Sequence, residues 1–106
     1  MGSKEFTKDL TPDGEDRLRI KIKIEKGRVS DLVVQYEAKI KDKWYSIVRY
    51  DCSHGFFHRD IINPKGQETK QPIPIQNFND ALTYAEQDIK DRWEWYKEKF
   101  KRGLRK

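Results

Sequence analysis

A chain of 106 residues has room for one hydrophobic core and no second one. Charged residues make up 39% of it and hydrophobic ones 35%, yet three Trp, five Tyr and five Phe argue against a disordered chain. The net charge of +5 excludes no partner class by itself, but a lone Cys52 excludes an intrachain disulfide framework and a four-cysteine zinc site.

No apolar run approaches the roughly 18 residues that a membrane helix needs. The start, Met1-Gly2-Ser3-Lys4-Glu5, lacks the apolar stretch of a signal peptide. The expectation is a cytoplasmic domain without membrane contact, cofactor or metal centre. The charge is concentrated at one end. Lys97, Lys99, Lys101, Arg102, Arg105 and Lys106 face only Glu98, so residues 1–96 sum to zero. Such a basic end suits nucleic acid or an acidic partner, and equally the negative end of a helix dipole.

Residues 1–16 carry mixed charge and the turn signal Thr11-Pro12-Asp13-Gly14. They read as a flexible leader, with its first residues an expression-derived remnant, and residues 17–106 as the domain. From Arg17 to Glu25 the chain alternates: Leu18, Ile20, Ile22 and Ile24 on one side, Arg17, Arg19, Lys21 and Lys23 on the other. This predicts a half-buried strand with a basic outer face. Lys26-Gly27 turns the chain, and Arg28 to Ile40 alternates again, with Leu32, Val34, Tyr36, Ala38 and Ile40 inward.

Lys41-Asp42-Lys43 closes a hairpin onto Trp44–Tyr50, which is rich in aromatic and β-branched residues. Either Trp44/Ser46/Val48/Tyr50 or Tyr45/Ile47/Arg49 can form its buried side. A fourth strand is expected over Phe56–Ile62 and a turn at Asn63-Pro64-Lys65-Gly66. A short edge strand over Gln67–Gln71 then ends at Pro72 and Pro74.

Asn77 or Asn79 caps a helix in which Leu82, Ala85, Ile89, Trp93, Tyr96 and Phe100 recur at spacings of three and four. That predicts five or six turns. The fold expected is α+β: a four- to five-stranded antiparallel β-meander packed against one long C-terminal α-helix.

Three groups of residues carry candidate chemistry. Both histidines lie in Asp51-Cys52-Ser53-His54-Gly55-Phe56-Phe57-His58-Arg59-Asp60. On a strand, His58 and Asp60 share a face and Arg59 points the other way. His54, His58, Arg59 and Asp60 then suit metal-independent RNA cleavage, with one imidazole as base, one as acid and Arg59 on the phosphate. The plainer reading makes His54-Gly55 a tight turn and His58 a half-buried structural residue. Cys52, His54, His58 and Asp60 match no standard zinc spacing.

The second group is the row Arg17, Arg19, Lys21 and Lys23. Joined to Lys99, Lys101, Arg102 and Arg105, it would make a basic groove for RNA or DNA. Glu37 and Asp31 on the next strand would instead neutralise it. The third group is Tyr84 and Trp95, eleven residues apart and so nearly in line on a helix. They suit a homodimer seam, a protein partner or stacked bases, although Tyr84 reads more simply as packing.

Tyr50-Asp51 … His54-Gly55-Phe56 … His58-Arg59-Asp60 … Pro64-Lys65-Gly66, followed by Asn79-Asp80-Ala81-Leu82-Thr83-Tyr84-Ala85 and Trp93 … Tyr96, resembles a family of small uncharacterised archaeal and bacterial proteins. The resemblance covers most of residues 17–100 and carries no catalytic residue with it. A looser similarity is to small toxins of prokaryotic toxin–antitoxin pairs. Abundant Lys, Glu, Arg and Ile suit a thermophile. The leading expectation is a non-enzymatic nucleic-acid-binding or interaction module. A ribonuclease-like toxin and a homodimeric scaffold are the alternatives.

Overall fold

The structure, a computed structural model of the chain, describes residues 2–52 and 55–105. Its strands are β1 (Gly2–Asp9), β2 (Asp16–Glu25), β3 (Arg28–Ile40), β4 (Lys43–Asp51), β5 (His58–Ile62) and β6 (Glu68–Pro72). They form one six-stranded antiparallel sheet in sequence order, and α1 (Phe78–Leu104) packs across β3 and β4.

The strand beyond the expected four or five is β1, in residues read from sequence as a flexible leader. It pairs with β2 from Gly2↔Ile24 to Asp9↔Arg17. Every residue of β1 is exposed, so no burial alternation marks it. What holds it is backbone pairing and opposite charge across the ladder, with Glu5 beside Lys21 and Asp9 beside Arg17. Lys8 also reaches Glu86 on α1 at 3.4 Å.

Two-residue loops join β2 to β3 and β3 to β4. Lys26 and Gly27 sit at φ 51° and 76°, Lys41 and Asp42 at φ 52° and 64°. Positive φ at both central positions is the type I′ geometry, whose twist matches that of the strands.

Strand β4 settles its own face by a bulge. Tyr36 pairs with Val48 and Glu37 with Ser46, which leaves Ile47 as the extra residue. Tyr45 and Ile47 therefore face α1 before the bulge, and Val48 and Tyr50 after it. Neither of the two uniform alternations is correct, because one inserted residue exchanges the faces.

The core lies between this side of the sheet and α1. Leu18, Ile20, Leu32, Val34, Tyr36, Val48 and Tyr50 meet Ala81, Ala85, Ile89, Tyr96 and Phe100. Each fully buried aliphatic side chain there contributes about 1.5–3 kcal/mol. Leu82 and Trp93 of the predicted stripe are only partly buried. Asn77 caps α1 by accepting from the backbone N–H groups of Asn79 and Asp80.

With 27 residues, α1 is longer than expected. It runs on through the basic end because Lys and Arg are good helix formers and suit its negative pole. No helix of the described residues is long and apolar enough to cross a membrane.

Candidate functional site

Direct pairing of Asp51 with His58 and of Arg49 with Asp60 puts four chemically active side chains on the sheet face away from α1. His58 is 0% and Asp60 1% exposed. His58 Nε2 lies 2.8 Å from Asp51 Oδ1 and 3.5 Å from Asp60 Oδ2. Arg49 Nε stands 3.3 Å from Asp51 Oδ2, and Arg49 Nη2 stands 3.3 Å from Asp60 Oδ2 and 2.9 Å from Glu68.

Closeness is not alignment here. Among the described residues His58 Nε2, Arg49 Nε and Asp60 Oδ1 make no hydrogen bond, so the close approaches of Asp51 to Nε2 and to Nε lie off the hydrogen-bonding axis. Burial opposes the Arg49 charge, but Glu68, Asp60 and Asp51 outweigh it and raise the guanidinium pKa. His58 Nδ1 faces the Phe56 carbonyl oxygen at 3.3 Å. Ligand-type atoms of Asp51, His58 and Asp60 all lie within 4.8 Å of one another.

Arg59 is on the opposite side of β5. It donates to the Gln71 side chain and, through Nη1, to the hydroxyls of Tyr50 (3.3 Å) and Tyr96 (2.9 Å). Both tyrosines donate to Asp88 on α1 at 2.5 Å, and Arg92 pairs with Asp88 at 2.9 Å. Burial first, then Asp88, raises the pKa of both phenols.

This network fastens β5 and β6 to the helix. The set proposed for RNA cleavage is thus divided: His58 and Asp60 are buried on one face, Arg59 is on the other, and His54 lies outside the described residues.

The basic row of β2 is largely answered. Arg17 Nε is 2.9 Å from Glu37 and its guanidinium stacks 3.7 Å above Trp44. Arg19 stands 3.7 Å from both Glu5 and Glu37, and Asp31 is directly opposite Lys23. Sequence placed Glu37 and Asp31 beside the row; Glu5 was missed because β1 was not expected.

The row faces away from α1, so the sheet separates it from Lys99, Lys101, Arg102 and Arg105. They do not form one groove.

The helix end behaves differently. Lys97 is held by Asp16 at 3.1 Å, and Arg105 reaches Glu98 at 3.9 Å. Among the described residues, Lys101 and Arg102 have no ion-pair partner. A cleft of about 310 Å³ between Lys101, Leu104 and Arg105 and the β3–β4 hairpin is lined by Ile40, Lys41 and Tyr45.

Tyr84 and Trp95 also part company. Tyr84 packs edge-on against Tyr50 and Phe57, with ring centroids 6.0 and 6.2 Å away. Trp95 is 54% exposed, with Arg92 and Lys99 5.4 and 5.3 Å from its ring.

The sequence reading missed Arg49 and Asp51 as site residues. Their signal was two i,i+2 polar pairs, Arg49/Asp51 and His58/Asp60, on strands that had to be neighbours.

Residues 1–106 match the family model of the domain of unknown function DUF7718, and the chain belongs to that family. This agrees with the expectation of an uncharacterised family. No curated protein and no solved structure matches the chain.

Proposed function

We propose that this domain binds single-stranded nucleic acid along the C-terminal half of α1. The observation that carries the reading is Trp95, 54% exposed and flanked by the Arg92 and Lys99 cations within 5.4 Å of its ring. An exposed aromatic face stacks a base while Lys99 and the cations beyond it take the phosphates, Arg92 being held by Asp88.

Trp95, Lys99 and Arg102 fall at i, i+4 and i+7 and so form one stripe, with Lys101 and Arg105 beside it. The phosphate contacts carry affinity and little sequence preference. The β2 row has no part in this, because Glu37, Glu5 and Asp31 already oppose it.

The test is fluorescence-detected binding of oligo-U and of duplex DNA at about 50 and 200 mM salt. Four phosphate contacts, at Lys99, Lys101, Arg102 and Arg105, give a log–log slope of about −2.8 on a single strand, a loss of about fifty-fold over that range. Trp95→Ala must weaken binding and abolish the quench on binding. Lys101→Glu/Arg102→Glu must flatten the slope, and Lys21→Glu/Lys23→Glu must change neither. No binding, or binding indifferent to Trp95 and the helix charges, refutes the reading.

A further inference from the structure

We propose that Asp51, His58 and Asp60 bind a divalent transition-metal cation, Zn²⁺ or Mn²⁺, on the sheet face away from α1. Each of the three is less than a tenth exposed, and their ligand-type atoms lie within 4.8 Å of one another. Ligands held at about 2.0–2.2 Å from one tetrahedral ion stand about 3.4 Å apart. His58 Nε2 is 2.8 and 3.5 Å from its two carboxylates, on either side of that spacing.

The histidine points to the ion most directly. A carbonyl oxygen only accepts, so the Phe56 carbonyl at 3.3 Å fixes the proton of a neutral His58 on Nδ1 and leaves a lone pair on Nε2. Metal-bound histidines are oriented in this way. Among the described residues the fully buried Nε2 has no hydrogen-bond partner, even though a carboxylate oxygen is 2.8 Å away. That oxygen lies off the axis on which Nε2 would hold a proton. It can still share an ion with Nε2, since ligands of one ion converge on the ion and not on each other.

The carboxylates agree. Arg49 stands beside Oδ2 of both Asp51 and Asp60. This turns Oδ1 of Asp51 toward His58; Asp60 approaches His58 through Oδ2, the oxygen Arg49 also contacts, and its buried Oδ1 has no hydrogen bond among the described residues. Arg49 thus orients both ligands from outside the site.

Charge agrees as well. Among the described residues the side chain of Arg49, 32% exposed, is the one cation in ion-pair contact with Asp51, Asp60 and the outer Glu68, and Lys70 stands opposite Asp60 on the same face. A metal ion between the carboxylates offsets the remaining negative charge. One imidazole with two carboxylates suits Zn²⁺ or Mn²⁺ better than Ca²⁺ or Mg²⁺, which favour oxygen throughout. The site lies across the sheet from α1 and is independent of nucleic-acid binding.

The experiment is calorimetric titration of chelator-stripped, full-length protein with ZnCl₂ and MnCl₂ at pH 7, with melting curves in parallel. One ion per chain, with a raised Tm that EDTA reverses, is expected. His58→Gln and Asp60→Asn must each weaken binding by more than the roughly 10- to 100-fold that second-shell changes cost. Glu68→Gln, outside the ligand set, must keep it.

Should those variants not fold, the wild type still decides: Co²⁺ must shift the His58 ring protons paramagnetically. No stoichiometric uptake, with both ring nitrogens of His58 protonated in the nitrogen-15 spectrum, overturns the proposal, because a proton then supplies the missing charge. Uptake that survives both substitutions, or Co²⁺ that leaves His58 unshifted, puts the ion elsewhere and overturns it too.

Discussion

Replacing Gly103 by alanine sets two effects of opposite sign against each other, and the structure says which is larger. Gly103 lies in the last turn of α1, where it passes the β5–β6 turn. An alanine there gains about 0.5–1 kcal/mol of helix stability, chiefly by reducing the freedom of the unfolded chain. Its Cβ, however, would stand 2.9 Å from Pro64 Cδ and 3.0 Å from Cγ. Carbon atoms rest about 3.5–4.0 Å apart, so helix and turn must separate by roughly half an ångström or more.

Neither side yields easily. The proline ring is fused to its backbone, and the turn is pinned by Asn63, which accepts from the backbone N–H groups of Lys65 and Gln67. Overpacking of this kind costs about 1–3 kcal/mol. The net expectation for Gly103→Ala is a loss of about 1 kcal/mol, or a Tm lower by about 4–8 °C for a domain of this size.

Trimming Pro64 to alanine removes the obstructing ring carbons. In the Pro64→Ala background the same Gly103→Ala change should raise the Tm. The reversal amounts to a coupling of about 1.5 kcal/mol, within the range of touching residues. Thermal and urea melts of the four proteins by far-ultraviolet circular dichroism measure it. If Gly103→Ala stabilises both backgrounds alike, the close approach of helix and turn is wrong.

The two hairpin loops and the buried thiol give further tests. Asp42, at φ 64°, occupies a position that suits glycine, so Asp42→Gly should stabilise by about 0.5 kcal/mol. Gly27→Ala should lose about 1 kcal/mol in the same urea melts, all of it backbone strain, since an added Cβ meets nothing within 4 Å. Burial first, then Asp31 and Asp51, pushes the Cys52 thiol up from 9.0 to about 12. A thiol whose pKa is raised on folding leaves stability intact below pH 9, where both states hold the proton. It removes stability progressively from pH 9 toward 12, where only the folded chain holds it. Urea midpoints should therefore fall with rising pH in that window, less steeply in Cys52→Ala. Ellman's reagent at pH 8 should label Cys52 only at the rate of opening.

The sequence by itself determined the elements in which one face is apolar. Leu18/Ile20/Ile22 and Leu32/Val34/Tyr36 could only be half-buried strands, and Leu82 to Phe100 only an amphipathic helix, because burial leaves a periodic record along the chain. It also determined that His58 and Asp60 share a face and Arg59 does not, since alternation is fixed by strand geometry.

Strand β1 left no such record. Its side chains are all exposed, and its reason for existing is the unpaired edge of β2, the strand that follows it. The bulge at Ile47 was equally hidden, because inserting one residue is a property of the pairing and not of either strand alone. Only the tertiary structure brought Asp51 to His58 and Arg49 to Asp60, through the register of β4 on β5. Only it set the sheet between the β2 basic row and the basic helix end, so that charges adding up along the chain do not meet in space.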